Sequence, residues 1–144
     1  MKKLSEKEFK KIYTKVPRIT IDLIIVKGKT FLLTKRSIKP FNGLWHFPGG
    51  TVLYKEKIED TISRVAKEEL GIKIIQKKFL GYIEVLNDGF RHSVSLAFKC
   101  SIPKNQTPKP LEQADELKFF NKIPKKMIPI QEKFLKSNLR KVFQ

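Results

Sequence analysis

Glu68 and Glu69 stand where a helix should not carry acids. Residues 56–72 place Ile58, Ile62, Val65 and Ala66 on one apolar stripe at roughly 100° per residue. Glu69 falls inside that stripe, four residues after Val65, and a carboxylate turned towards a core is unfavourable unless something positive meets it. Both glutamates also lie in the last turn before Gly71, where the helix dipole is negative. Arg64 can serve one of them as the i,i+4 partner of Glu68. A hard divalent cation held by carboxylate oxygens would serve the other; a solvated pair at a frayed helix end is the alternative. Asp22 poses the same problem in a run of Ile and Leu, and needs either a chemical role or a salt bridge to a nearby Lys or Arg.

The spacing around these acids narrows the choice. The segment reads Gly50-x5-Glu56-x7-Arg64-Val65-Ala66-Lys67-Glu68-Glu69-Leu70-Gly71-Ile72. It resembles the Nudix box, G-x5-E-x7-R-E-U-x-E-E-x-G-U with U aliphatic, at every fixed position but one: Val65 stands where the box has a glutamate. The lead-in from Gly43 through Trp45, Phe47 and Gly49 to Gly50 is similar to the approach common in that family. The resemblance implies an enzyme that hydrolyses nucleoside diphosphates linked to another moiety, with Mg²⁺ or Mn²⁺. It implies metal ligation by Glu68, Glu69 and the Gly49 carbonyl, with Glu56 binding or orienting the metal cluster and Arg64 holding the carboxylates. Such a metal neutralises charge on a pyrophosphate as a bond breaks.

Valine at position 65 can neither bind a metal nor act as a base. Within the family the chain is most similar to GDP-mannose mannosyl hydrolase, which lacks the same glutamate and attacks the sugar's anomeric carbon rather than phosphorus. That reaction depends on a good leaving group and a separate base for water. The similarity extends to Leu4-Ser5 with Phe9, to Asp22 in the first strand, to Arg36 after the second, and to Gln113 as a late metal ligand. Arg36 and Asp22 are thereby implied to bind substrate and take part in the chemistry. Three positions depart from that subfamily: Thr51 replaces an arginine, Ser93 a tyrosine and Ala114 the base histidine. Glu68 makes this chain richer in acid, which leaves open a second metal and attack on phosphorus, with Glu112, Asp115 or Glu116 as base. The expected substrate is a nucleotide sugar of GDP-mannose type. The alternatives are a phosphorus-attacking pyrophosphohydrolase of ADP-ribose, dinucleotides or NTPs, a degenerate inactive box, and a non-catalytic module that binds nucleotide or RNA. Trp45 and Phe47, with Phe41 and Tyr82, are candidates to stack a base, each against the alternative of core packing. His46 reads as loop packing and His92 as a polar strand residue.

A scaffold must bring these groups together. Ser5 and Glu8 have the form of a capping box opening a helix to about residue 15, which Pro17 ends. Residues 18–26 read as a buried strand that returns through Gly28 as 30–34, and 37–50 read as a structured loop. Residues 57–70 form the strongest helix, stopped by Gly71. Residues 73–86 and 90–102 are strands joined by Asn87-Asp88-Gly89. A Pro-rich loop at 103–110, a short strand at 117–121 and an amphipathic helix after Pro129 complete the chain. The expected fold is α/β: a Nudix-type α/β/α sandwich of mixed sheet with the box helix plus N- and C-terminal helices, one domain over 1–144.

Composition agrees with that outline. The 144 residues carry 31 Lys and Arg against 14 Asp and Glu, a formal net charge of +17, and 40% are hydrophobic, enough to build a core. No run approaches the about 18 apolar residues of a membrane helix, and the charged N-terminus lacks the apolar stretch of a signal peptide. Cys100 is the only cysteine, so an internal disulfide and a cysteine-based zinc site are ruled out and a reducing cytoplasm is the expected location. Eight of the 14 acids fall within 56–69 and 112–116, both mapped to the metal site by the resemblance. The basic remainder suits a small-molecule nucleotide diphosphate substrate and leaves nucleic acid open as a partner. The resemblance also implies a homodimer.

Overall fold

The structure is a computed structural model and describes residues 2–112 and 114–144. Its elements are α1 (Glu6–Tyr13), β1 (Arg18–Lys27), β2 (Thr30–Arg36), β3 (Trp45–His46), β4 (Gly49–Thr51), α2 (Ile58–Leu70), β5 (Gln76–Asp88), β6 (Arg91–Ser101), β7 (Ala114–Phe120) and α3 (Pro129–Val142). The capping box is present: Ser5 Oγ accepts from the Glu8 backbone while the Glu8 carboxylate accepts from the Ser5 backbone. Gly71, at φ +66°, takes the left-handed conformation that ends α2.

The mixed sheet forks at β1. Along one edge β1 runs parallel to β6, from Arg18 opposite Ser93 to Ile25 opposite Cys100. Along the other, its first half pairs antiparallel with β4, and its last two residues form a hairpin with β2. β2 carries β3 and β7, and β5 lies antiparallel on β6. The period of two in β1 splits the core between two helices. Ile21, Leu23 and Ile25 meet Ile62, Val65, Ala66 and Leu70 of α2. Ile24 looks the other way, with Phe31, Leu33, Phe47, Leu135 and Val142 under α3. Each fully buried Leu, Ile or Val contributes about 1.5–3 kcal/mol, so α2 is fixed against the sheet by its apolar stripe. The result is the expected α/β/α sandwich.

The boundaries differ in four places. Residues 37–50 are not wholly loop, because Trp45–His46 pair with β2 and Gly49–Thr51 pair with β1. The hairpin turn lies one residue later than expected: Asp88 pairs with Arg91 around Gly89 at φ +69° and Phe90. The strand expected from residue 73 starts at Gln76; Ile72 is buried with α2, and the Lys73 N–H donates to Gln106 Oε1 at 2.7 Å. β7 begins at Ala114 rather than 117, opposite Arg36. Among the described residues no helix is long and apolar enough to cross a membrane.

Candidate active site

Arg64 organises the acids of α2. Its Nε and Nη2 donate to the two oxygens of Glu56 at 2.8 and 3.0 Å, its Nη1 to Glu68 at 3.1 Å, and its Nη2 also to the Thr51 carbonyl at 2.8 Å. The planar guanidinium suits this forked arrangement and a lysine would not. Glu56 further accepts from Thr61 Oγ1 at 2.7 Å and the Leu53 N–H at 3.1 Å. Its side chain is 3% exposed, and these bonds, led by Arg64, hold the carboxyl down at about 2. A group whose folded pKa lies below its unfolded value stabilises fully above the unfolded pKa and loses that contribution as pH falls towards the folded one. Glu56→Gln, which takes from Arg64 its forked carboxylate partner and leaves it Glu68, is therefore expected to lower stability by about 3 kcal/mol at pH 7. The loss should shrink as pH falls from 4.5 towards 2. Urea melts at pH 7 and pH 3 check this, and an equal loss at both would refute it.

Glu69 is half-buried, and two carboxylates crowd it. Burial, then Glu112, then Glu68 push its carboxyl up to about 7. The 109–112 segment is pinned there by the end of α2, with Lys109 N–H donating to the Leu70 carbonyl and Leu111 N–H to that of Glu69. Glu112 itself holds φ +48°, a conformation that favours glycine. Glu68 is met by Arg64 and also by Lys3 Nζ at 2.8 Å. An open hollow of about 800 Å³ is lined by Arg64, Lys67, Glu68, Leu111 and Glu112. Among the described residues no three acids, histidines or cysteines converge tightly enough, as they stand, to hold an ion. The donor chemistry nevertheless fits Mg²⁺ or Mn²⁺: Glu68, Glu69 and Glu112 offer hard carboxylate oxygens, and the charges of Glu68 and Glu112 both act on Glu69. Gln113, the other expected ligand, lies outside the described residues.

Across β4 from these acids lies Asp22, 8% exposed. Ser95 Oγ donates to its Oδ2 at 2.7 Å, and burial, its largest perturbation, raises the carboxyl to about 6. Gly49 is opposite it in β4, and a Cβ there would come within 2.5 Å of Asp22 Oδ1. Only glycine lets the backbone approach so closely. Gly50 is constrained from the other face, where a Cβ would sit 2.9 Å from Val65 Cγ2. Arg36 ends β2, donates to the Pro40 and Lys39 carbonyls, and feels the charges of Asp88, Arg91 and Glu69.

The NUDIX domain family model matches residues 16–138. The chain belongs to the NUDIX domain family of hydrolases. This Nudix chain is 29% identical to the Haloferax volcanii low-salt glycan biosynthesis protein Agl8, over 92% of its own length and 89% of the relative's. It is 34% identical to the ADP-ribose pyrophosphatase of Methanocaldococcus jannaschii, over 86% of its own length and 74% of the relative's. Among solved structures it is similar to the MutT NUDIX hydrolase of Burkholderia pseudomallei, with a TM-score of 0.77, 25% identity, and coverage of 85% of this chain and 98% of that one.

One aromatic assignment in the Nudix site needs correction. Phe47 is fully buried in the core beneath α3 and cannot stack a base. Trp45 packs edge-on against Phe120 with ring centroids 4.9 Å apart, joining β3 to that same core. Glu56 sits with both oxygens bonded to Arg64, Thr61 and Leu53, which is the geometry of an orienting group. His46 bonds to Thr34 Oγ1 at 3.2 Å, and burial pushes it down to about 4, so it is neutral and structural. Tyr82 is exposed on β5. The sequence reading passed over Arg18, Asp88 and Arg91, because an arginine at a strand end and an acid in a turn carry no pattern of their own.

Proposed function

We propose that this protein is a divalent-metal-dependent hydrolase of a nucleoside-diphosphate-linked substrate, and that the substrate is a nucleotide sugar of GDP-mannose type. One observation carries the finer reading. Val65 is buried against Gly50 where a glutamate could have added a further carboxylate to the site. The acid set is then limited to Glu68, Glu69 and Glu112, and Asp22 stands apart from it across β4. The glycan-biosynthesis name of the Haloferax relative supports a sugar-linked substrate.

Glu68, Glu69, the Gly49 carbonyl and Gln113 would hold Mg²⁺ or Mn²⁺, which supplies charge neutralisation for the departing diphosphate. Arg64 keeps Glu68 in place and ties it to β4. Arg36 meets diphosphate oxygens. Asp22 Oδ1, the oxygen that Ser95 does not bond, accepts a hydrogen from a sugar hydroxyl or from water. A second reading, attack on phosphorus, is favoured by Glu112 beside Glu69 as an extra base and by the ADP-ribose pyrophosphatase relative. Turnover of nucleotide sugars and ADP-ribose with Mg²⁺, run in water labelled with heavy oxygen, decides. Label in the sugar is the expected result; label in phosphate selects the second reading; no turnover with metal bound overturns both.

A further inference from the structure

Arg18 begins β1 and turns its guanidinium towards β4 and β6. Its Nη1 donates to Thr51 Oγ1 at 2.9 Å, its Nε and Nη2 to Ser93 Oγ at 3.2 and 3.1 Å, and its Nη2 reaches Asp88 Oδ2 at 3.3 Å. Thr51 lies on β4 and Ser93 on β6, and one arginine bonds to both. Thr51 also joins the two halves of the site, since its carbonyl accepts from Arg64 and its hydroxyl from Arg18. Arg18 thus bonds to the residue next to the glycine pair and lies on the same strand as Asp22.

Arg18 is not alone. Arg91 Nη2 pairs with Asp88 Oδ1 at 2.9 Å, and its Nε donates to the Asp88 carbonyl at 3.0 Å. The hairpin tip is brought to Arg36 by the 39–40 turn, where a Cβ on Gly89 would meet Pro40 Cγ at 3.8 Å. Three guanidiniums therefore gather around Asp88, and Arg18 also feels the charge of Asp22. Among the described residues Nη1 of Arg36 and Nη1 of Arg91 have no acceptor. An excess of forked donors beside an acid cluster that suits a cation matches a diphosphate lying between the two.

We propose that Arg18 and Arg91, aligned by Asp88, form with Arg36 the grip for the substrate's diphosphate. Burial and the neighbouring Arg91 lower the Arg18 pKa to about 10, as expected of crowded cations that an anion would relieve. The inference rests on the diphosphate reading of the site, and its test separates the two.

Inorganic pyrophosphate is titrated into the full chain in EDTA by calorimetry. Arg18→Gln is expected to weaken it at least about tenfold, with Arg18→Lys in between, while Mg²⁺ still raises the melting temperature of both variants. With a hydrolysed nucleotide sugar the loss should appear chiefly in KM. Unchanged pyrophosphate affinity in folded Arg18→Gln overturns the grip even if the wild type hydrolyses nucleotide sugars. Arg18-dependent pyrophosphate binding without turnover of any nucleotide sugar would instead sustain the grip and overturn the proposed function. If Arg18→Gln does not fold, Arg91→Gln decides by the same titration, and unaltered affinity there overturns the grip.

Discussion

Glu69→Gln is expected to reduce kcat/KM by at least about a thousandfold, and to make the metal-free protein more stable. Glu69 occupies the one position of the α2 stripe where an acid faces inward, beside Glu68 and Glu112. Its folded pKa, about 7, lies above the unfolded value of 4.5. For an acid raised in this way the penalty is absent below the unfolded pKa, grows between the two values and is complete above the folded one. Glutamine keeps the shape and removes the charge, so in EDTA the gain should be of order 1–3 kcal/mol at pH 8 and nothing at pH 4. Mg²⁺ at 100 times its dissociation constant should stabilise the wild type by about 2.7 kcal/mol and the variant by much less. Denaturation melts with and without Mg²⁺ at both pH values measure all of this. A variant that keeps a tenth of the activity, or that loses stability in EDTA, would refute the assignment.

The parts of the fold that could be read from the sequence are those where one residue's reason is local. Ser5 and Glu8 cap α1, Gly71 stops α2, and the β-branched run of β1 needs burial on both faces; each is decided within a few residues. Residues 45–51 were not legible, because β3 and β4 exist only through pairing with β2 and β1, and nothing in their own composition records that partner. The same physics moved Phe47 from the substrate to the core. An aromatic in a Gly- and Pro-rich loop looks available until α3, a distant segment, covers it.

The site divides along the same line. Arg64 with Glu68 is an i,i+4 pair and was visible as such, and the misplaced acids implied a cation without any alignment. The Arg64–Glu56 fork was visible only as motif spacing, and Glu56's bonds to Thr61 and the Leu53 backbone not at all. Arg91 reaches Asp88 across the β5–β6 turn, but Arg18 meets Asp88 only through the parallel pairing of β1 with β6, a contact across 70 positions that no periodicity encodes.

Asp22 is where stability and chemistry should pull apart most clearly. It is an acid in the middle of β1, flanked by residues that are fully buried, with one hydrogen bond from Ser95 and the charge of Arg18 as partial relief. Those favourable contacts do not offset burial, for its carboxyl is raised from 3.8 to about 6. The sign follows as for Glu69: no penalty below 3.8, the full penalty above about 6. Asp22→Asn is expected to match the wild type at pH 4 and to exceed it by of order 2–3 kcal/mol at pH 8, measured by urea melts. Its kcat/KM is expected to fall by about a hundredfold, since the amide cannot accept the proton that Oδ1 would. Were Asp22 held mainly by the charge of Arg18, the variant would lose stability at pH 8 and the activity loss would track unfolding. A gain in stability joined to a loss of activity instead marks a charge kept for the reaction at the expense of the fold.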